Sequence, residues 1–377
     1  EEMELNTALP AAQRAKQLGS DSYPFFGFPG WERNLAANRR LPRSYMHPTH
    51  AGMTCLAHAR PGLEAMATGK PYPVKALISQ ASNPMLSLAN SRRVHDALHA
   101  LELYVVMDYY LTPSAALADY VFPAASTVER SELWLLPPFC MACPKGIGPL
   151  HERRDDFQLW RGLGVRLGQE EHWPWKTVEE VWDHRLAPIG LTFEKLVEQK
   201  GVFGRGAPQR YREHGFGTPS GKVEIYSSTF AALGCEPLPV YREVFPELDL
   251  DASAGERFPF VLITGSRFMP MYHTEQRQIE GARKVVPDPM VTLHPATAAR
   301  LGLAEGDWAR ITTAQGSIRQ RVAISDAVDP RMVDAQHGWW FPEEPSKEPW
   351  LHGVWKSNIN VCTDDDPDHC NPINGGW

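Results

Sequence analysis

The sequence predicts an α/β protein in two parts, a parallel-sheet lobe followed by a β-rich domain that closes as a small barrel. Three observations carry this. Between residues 75 and 123 short apolar runs and helical patterns alternate as strand, helix, strand, helix, strand, the order of a parallel sheet with right-handed crossovers. Between residues 307 and 324 two strand-like runs flank a tight turn, the mark of an antiparallel pair. Glycine and proline contribute 29 and 33 of the 377 residues, so loops are many and long helices few.

Residues 1 to about 70 carry weak periodicity, punctuated by Pro24, Pro29, Pro42, Pro48 and Pro61, and read as a loop-rich connecting segment. An α/β lobe with a linker follows over residues 71–235. Lys75-Ala76-Leu77-Ile78-Ser79-Gln80 is a buried-strand run ending in Ser82-Asn83-Pro84, where Pro84 biases Asn83 towards extended or turn geometry. Asn90 or Ser91 caps a helix whose apolar residues Val94, Leu98 and Leu101 share one face. Leu103 to Met107 is a second strand ending in Asp108, Thr112-Pro113 opens another short helix, and Tyr120 to Phe122 is a third strand stopped by Pro123.

A linker of mixed character runs from about 131 to 215, with His172-Trp173-Pro174-Trp175 and a helical pattern from Val178 to Trp182. The stretch from Phe216 to Tyr226 reads as a tight turn leading into an alternating strand. Pro237, Pro239, Pro246 and the acidic run from Glu247 to Asp251 mark 236 to 257 as a domain boundary. Residues 256–377 form the β-rich domain: a strand from Phe260 to Thr264, a short helix from Ala296 to Leu301 ended by Gly302, and a strand from Asp307 to Thr313. Gln315-Gly316 then turns into a partner strand with Ile318, Val322 and Ile324 on its apolar side.

Hydrophobic residues at 43% and charged residues at 22% fall in the ordinary globular range, which excludes collagen, coiled coil and wholesale disorder. A net charge of −7 argues against nucleic acid as a partner, and no apolar run approaches the length needed for direct membrane insertion. Glu1-Glu2-Met3-Glu4 shows no secretory signal pattern, and the chain lacks an initiating Met. The six cysteines are too few and scattered for a disulfide framework and leave the compartment open. Cys140-Met141-Ala142-Cys143 has the spacing of metal and redox sites, but no second pair lies nearby. Cys362, His369 and Cys370 are not brought to it by anything in the sequence, so these read as unrelated loop thiols and no metal ligand is assigned.

Ligands of parallel α/β sheets bind beyond the C-terminal strand ends, and Asn83, Asp108 and Thr112 fall there. A buried carboxylate such as Asp108 can accept paired N–H donors from a guanine edge, while Asn83 and Thr112 can bond sugar or phosphate. The same residue types also build turns and cap helices, and no glycine-rich phosphate loop follows the first strand. Residue type alone leaves both readings open.

With these residues in place, the chain resembles the C-terminal half of the catalytic subunit in the dimethyl sulfoxide reductase family. These enzymes carry molybdenum or tungsten on two molybdopterin guanine dinucleotides. The resemblance rests on Lys75-Ala76-Leu77 through Ser82-Asn83-Pro84; on Val106-Met107-Asp108 with Thr112 and the run from Ala118 to Pro123; and on Thr218-Pro219-Ser220-Gly221-Lys222-Val223-Glu224. It continues through Ile263-Thr264-Gly265-Ser266-Arg267, Tyr272-His273-Thr274, the run from His337 to Pro342, and Ser357-Asn358-Ile359-Asn360. The last two stretches look most like the branch of thiosulfate- and polysulfide-reductase-like enzymes and acetylene hydratase.

The resemblance implies that Asn83, Asp108 and Thr112 belong to a nucleotide-binding lobe, with Asp108 and Thr112 holding one guanosine end. It implies that residues 256–377 are the family's six-stranded double-psi barrel, binding cofactor through Thr264, Gly265, Arg267, His273, Thr274 and Asn360. His337 is a weaker candidate for catalysis, and Trp339 and Trp340 read as packing. The family's metal ligand and four-iron cluster lie in an N-terminal half, so the chain is expected to be a fragment cut at both ends and inactive alone. The expected reaction is two-electron redox or atom transfer on a small-molecule substrate. Expected partners are the N-terminal half and an iron–sulfur electron-transfer subunit. Lyase chemistry on the same cofactor and a non-catalytic cofactor-binding scaffold are the alternatives.

Overall fold

The computed structural model describes residues 10–14, 59–136, 139–200, 257–366 and most of 209–241. The boundary expected at 236–257 lies mostly outside them, as do His369 and Cys370.

The first lobe is a parallel sheet of β1 (Ala76–Gln80), β2 (Leu103–Asp108) and β3 (Tyr120–Pro123), with β2 in the middle. Its first crossover is a helix, α1 (Ser91–His99), capped by Asn90, whose Oδ1 accepts the Arg93 N–H at 3.2 Å. Val94, Ala97 and Leu98 turn from that helix onto Tyr104 and Val106 of β2, because the i, i+3, i+4 positions of a helix share a face. The second crossover is tighter than expected. The short helix at Thr112-Pro113 is a single 3-10 turn at Ala115–Leu117, held by Ala115 N–H donating to Thr112 Oγ1.

The expected linker is a folded unit. A hairpin of β4 (Glu132–Leu136) and β5 (Phe139–Cys143) packs Cys140 and Ala142 against Leu186, Phe193 and Leu196 from helices α3 (Val178–Leu186) and α4 (Phe193–Glu198). Helix α2 (Asp156–Arg166) precedes them, and its Gly164 lies under the Trp173 indole, where any side chain would clash. The Cys140 to Cys143 stretch is therefore a strand, not a loop. Residues three apart on a strand face opposite ways, so Cys140 enters the apolar cluster while Cys143 points to the other face.

The strand expected after the turn at residue 221 is also absent. Gly221 N–H does close on the Thr218 carbonyl at 2.9 Å, but Val223, Ile225 and Tyr226 stand exposed with no ladder partner among the described residues. Alternation supplies an apolar face, and a strand also needs a neighbour to pair with.

The second lobe is a curled mixed sheet of β6 (Val261–Ser266), β7 (Met290–Leu293), β8 (Trp308–Thr312), β9 (Ser317–Ile324) and β10 (Met332–Gln336), in the order β6-β10-β7-β9-β8. Five strands are present among the described residues, where the resemblance implied six. Pairs β6/β10 and β7/β9 are parallel; β10/β7 and β8/β9 are antiparallel. The helix Pro295–Leu301 stops at Gly302, whose positive φ of 67° suits glycine. Alternate residues Ile318 and Val322 of β9 meet Val291, Leu293 and Ile311 in the core. After β10 the chain returns to the first lobe, where Trp340, Leu351 and Val354 complete the core of the parallel sheet.

Candidate functional site between the two lobes

A cavity of about 440 Å³ opens beyond the C-terminal ends of β1 and β2. That volume falls within the roughly 300–1,000 Å³ usual for small-molecule sites. One wall is Asn83, Asp108, Tyr109 and Thr112; the facing wall is the loop from Thr274 to Ile279, with Trp340 and the Arg130–Asp156 pair alongside.

Asp108 sits where β2 gives way to loop. Its Oδ1 accepts the Tyr109 N–H at 2.6 Å and its Oδ2 the Thr112 hydroxyl at 3.5 Å. Burial raises the Asp108 pKa above the ordinary aspartate value, against the opposing pull of the Tyr109 and Tyr110 N–H groups and Thr112. A carboxylate has about four lone-pair sites, so with these three donors in place Asp108 can still accept from the cavity. Asn83 is buried; its Oδ1 accepts the Ser114 hydroxyl at 2.6 Å, and its Nδ2 has no partner. Across the cavity, Gln276 Oε1 and Gln278 Oε1 are likewise buried and unpaired. Unsatisfied buried polar groups cost roughly 1–3 kcal/mol each, and three residues that carry one line this cavity.

The facing loop is held in a demanding conformation. His273 and Gln276, neither of them glycine, have φ of 36° and 71°. Arg277, only 2% exposed, organises the loop by donating to the carbonyls of Tyr272, Glu275 and His337 at 3.1, 2.6 and 3.1 Å. Burial lowers its pKa to about 10, and its guanidinium lies over the Trp339 ring. Trp340 Nε1–H donates to the Thr274 carbonyl at 2.8 Å. Gly338 has φ of 66°, and a Cβ there would press into the His273 carbonyl.

The site residues expected from the sequence fall into four groups. Asn83, Asp108, Thr112 and Thr274 line the cavity together. Arg267, His273 and His337 form a chain nearby: Arg267 Nη2 lies 3.2 Å from His273 Nε2, and His273 Nδ1 lies 3.3 Å from His337 Nε2. Arg267 can only donate, so His273 accepts at Nε2, carries its proton on Nδ1 and donates to His337. Thr264 and exposed Gly265 lie on β6, and a Cβ at Gly265 would meet nothing within 4 Å. Asn360 does not line the cavity. Its Nδ2 donates to the Leu86 carbonyl at 2.8 Å and its Oδ1 accepts the Thr363 hydroxyl at 3.0 Å, so it braces one lobe against the other.

Gln276, Arg277, Gln278 and Arg130 were not legible as site residues. Their roles come from contacts far apart in sequence, such as the 60 residues between Arg277 and His337. Among the described residues no helix is long and apolar enough to cross a membrane.

Comparison with known proteins agrees with this architecture. Residues 30–165 match the molybdopterin oxidoreductase family model, and residues 260–375 match the molybdopterin dinucleotide-binding domain. The chain is 34% identical to acetylene hydratase of Syntrophotalea acetylenica over 99% of its own length and 52% of that protein's. It is 26% identical to the dimethyl sulfoxide/trimethylamine N-oxide reductase of Cereibacter sphaeroides, covering 76% of this chain and 39% of that one. The structure of acetylene hydratase from Pelobacter acetylenicus superimposes with a TM-score of 0.82 at 32% identity, over 99% of this chain and 52% of that chain. The chain thus spans about half the length of the relatives it resembles. With both domains in sequence order and the same fold at 32% identity, the chain belongs to the dimethyl sulfoxide reductase family of molybdopterin oxidoreductases.

Proposed function

We propose that this chain is the C-terminal portion of a catalytic subunit that binds molybdenum or tungsten on two molybdopterin guanine dinucleotides, one guanosine end lying in the cavity between the lobes. The observation that carries this is the convergence of Asp108 with three unpaired buried polar groups, Asn83 Nδ2, Gln276 Oε1 and Gln278 Oε1. These residues fit the group. A guanine edge offers paired N–H donors to an acceptor such as Asp108, and the ribose offers hydroxyls to Asn83, Thr112 and the glutamine oxygens.

When bound, the cofactor supplies two-electron redox or atom-transfer chemistry at its metal. The chain's own residues bind and orient it. Thr112 and the Tyr109 N–H fix the Asp108 carboxylate, Arg277 fixes the facing loop, and Trp340 holds Thr274 at the rim. Arg267, paired with His273, offers its remaining N–H donors to a phosphate or pterin carbonyl. On this reading an N-terminal half supplies the metal ligand and a four-iron cluster, an iron–sulfur subunit exchanges electrons with it, and a sixth strand completes the double-psi barrel.

The likeness to acetylene hydratase over 99% of the chain favours, as a second reading, hydration of a small unsaturated substrate on the same cofactor. Guanosine monophosphate released by acid hydrolysis of the native full-length polypeptide tests the first part, with about two per chain expected for a bis-dinucleotide enzyme. None would leave a cofactor-free scaffold. Assays with electron acceptors against hydration assays on the same preparation then separate redox from lyase chemistry.

A further inference from the structure

Away from this cavity, nitrogen and oxygen donors gather where the first lobe meets the segment entering Leu351–Gly353. His95 and His99 stand one turn apart on α1, so both rings leave the same face of the helix. Glu348 reaches them from a distant part of the chain. His95 Nε2 lies 2.5 Å from Glu348 Oε1, and His99 Nε2 lies 3.2 Å from the same oxygen. One ligand atom from each residue falls within 4.8 Å of the other two, the one such trio among the described residues.

We propose that His95, His99 and Glu348 form a binding site for a divalent transition-metal ion of the zinc class, pinning α1 to the Glu348 segment. Two imidazoles and a carboxylate suit zinc, cobalt, nickel or copper and are a poor match for magnesium or calcium, which prefer all-oxygen shells. With metal–ligand bonds of about 2.0–2.1 Å, tetrahedral donors stand about 3.3–3.4 Å apart. The His99 to Glu348 separation of 3.2 Å already meets that spacing. The closer His95 contact opens by rotation of the Glu348 side chain, which is 47% exposed.

The surroundings of His95 support the assignment. Its Nδ1 lies 3.3 Å from Asp96 Oδ1, so with a proton on Nδ1 shared with that carboxylate a metal ion can replace the Nε2 proton that now lies between the imidazole and Glu348. Such outer carboxylates orient metal-binding imidazoles and raise their basicity. The ring is further fixed edge-on against Trp355 and His99, at centroid distances of 5.5 and 4.4 Å. Three protein ligands leave one position for water. None of the three lines the cavity between the lobes, so this inference stands apart from the cofactor reading.

The test uses the full-length protein, titrated with zinc chloride after loosely held metal is removed, alongside His99→Ala and Glu348→Gln. Both positions are exposed, and each variant's thermal midpoint without zinc serves as its folded reference. Wild type is expected to retain one more zinc per chain than either variant and to gain thermal stability on adding zinc. The variants should lose about tenfold or more in zinc affinity together with that gain. Cobalt should give the intense visible bands of a four-coordinate site in wild type alone. Equal zinc retention and equal thermal response in all three proteins would overturn the assignment and leave a plain histidine–glutamate ion pair.

Discussion

Asp108→Asn isolates the proposed guanine contact from the fold. In the variant Oδ1 remains to accept the Tyr109 N–H, now 2.6 Å away, and the new amide nitrogen takes the position 3.5 Å from Thr112 Oγ1, which can accept from it. The local structure is therefore kept. On the cavity side a donor replaces an acceptor, so one charge-assisted hydrogen bond to the guanine edge is lost and an N–H is set against an N–H. A bond to a charged group contributes roughly 1.5–3 kcal/mol, and the opposed donors add to the loss, for about 2–4 kcal/mol or roughly 30- to 1,000-fold in affinity. In the full-length protein, guanosine monophosphate released on hydrolysis should fall from about two per chain to about one, because Asp108 faces a single guanosine. A pH dependence should accompany this. The ligand's N–H donors favour ionised Asp108, whose pKa burial has raised, so guanosine nucleotide affinity should weaken as pH falls through that raised pKa. The Asn variant should lose that dependence. Unchanged nucleotide content in the variant would refute the placement of the guanine on Asp108.

Gly338→Ala should be destabilising by roughly 2–4 kcal/mol in denaturant unfolding, since it adds a positive-φ penalty to a clash with the His273 carbonyl. Cofactor content should fall with it, as that carbonyl belongs to the loop facing Asp108. Glu129, 1% exposed, accepts from Ser126 N–H, Leu150 N–H and Arg153, and these bonds lower its pKa to about 2. A depressed carboxylate contributes stability above its unfolded pKa of about 4.3 and loses it as pH falls towards the folded value. Glu129→Gln should therefore flatten acid unfolding between about pH 5 and 2, measured by circular dichroism. Cys140→Ser should cost roughly 1–3 kcal/mol by placing a hydroxyl in an apolar cluster, and leave metal content unchanged. Loss of metal in that variant would show that Cys140 is a ligand after all.

Legibility in the sequence followed the range of the interactions. The parallel lobe was readable because its signals are local: Val94 and Leu98 repeat at helical spacing, and Asp108 ends an apolar run at the point where such sheets bind ligands. The hairpin β4–β5 was not, because the Pro137-Pro138 pair in the sequence and the exposed Trp134 and Met141 on its strands disguise the pattern as loop. The segment from Val223 to Tyr226 failed in the opposite sense, carrying a strand's alternation without a strand to pair with. Asn360 shows the same limit at the site. Its amide suits a pterin edge in chemistry, yet Leu86 and Thr363, distant and near in sequence, already satisfy both of its ends. Family motifs locate residues, and only packing decides which of their atoms stay free.

A ligand cavity whose walls come from separate lobes holds its ligand tightly only if the spacing of those walls is fixed beforehand, because closing them on binding would consume affinity. The segment after β10 does this here. Buried Asn358 donates to the Met85 carbonyl at 3.1 Å and the Ser91 hydroxyl at 3.0 Å, and Asn360 reaches Leu86 from the same turn. Asp365, 5% exposed, joins Arg60 and Arg93 at 3.3 and 2.8 Å and accepts from Asn90 at 2.9 Å. Trp340 and Leu351 fill the core of the parallel lobe while the Trp340 indole holds the Thr274 carbonyl of the opposite wall. Apart from Trp340, which also lines the cavity, these contacts come from residues outside it, and they fix the wall bearing Asp108 against the wall bearing the glutamines. On the proposed reading, Asn358 and Asn360, which lie in a stretch that resembles the family in sequence, thus serve the cofactor at one remove, by holding the two walls of the cavity in place.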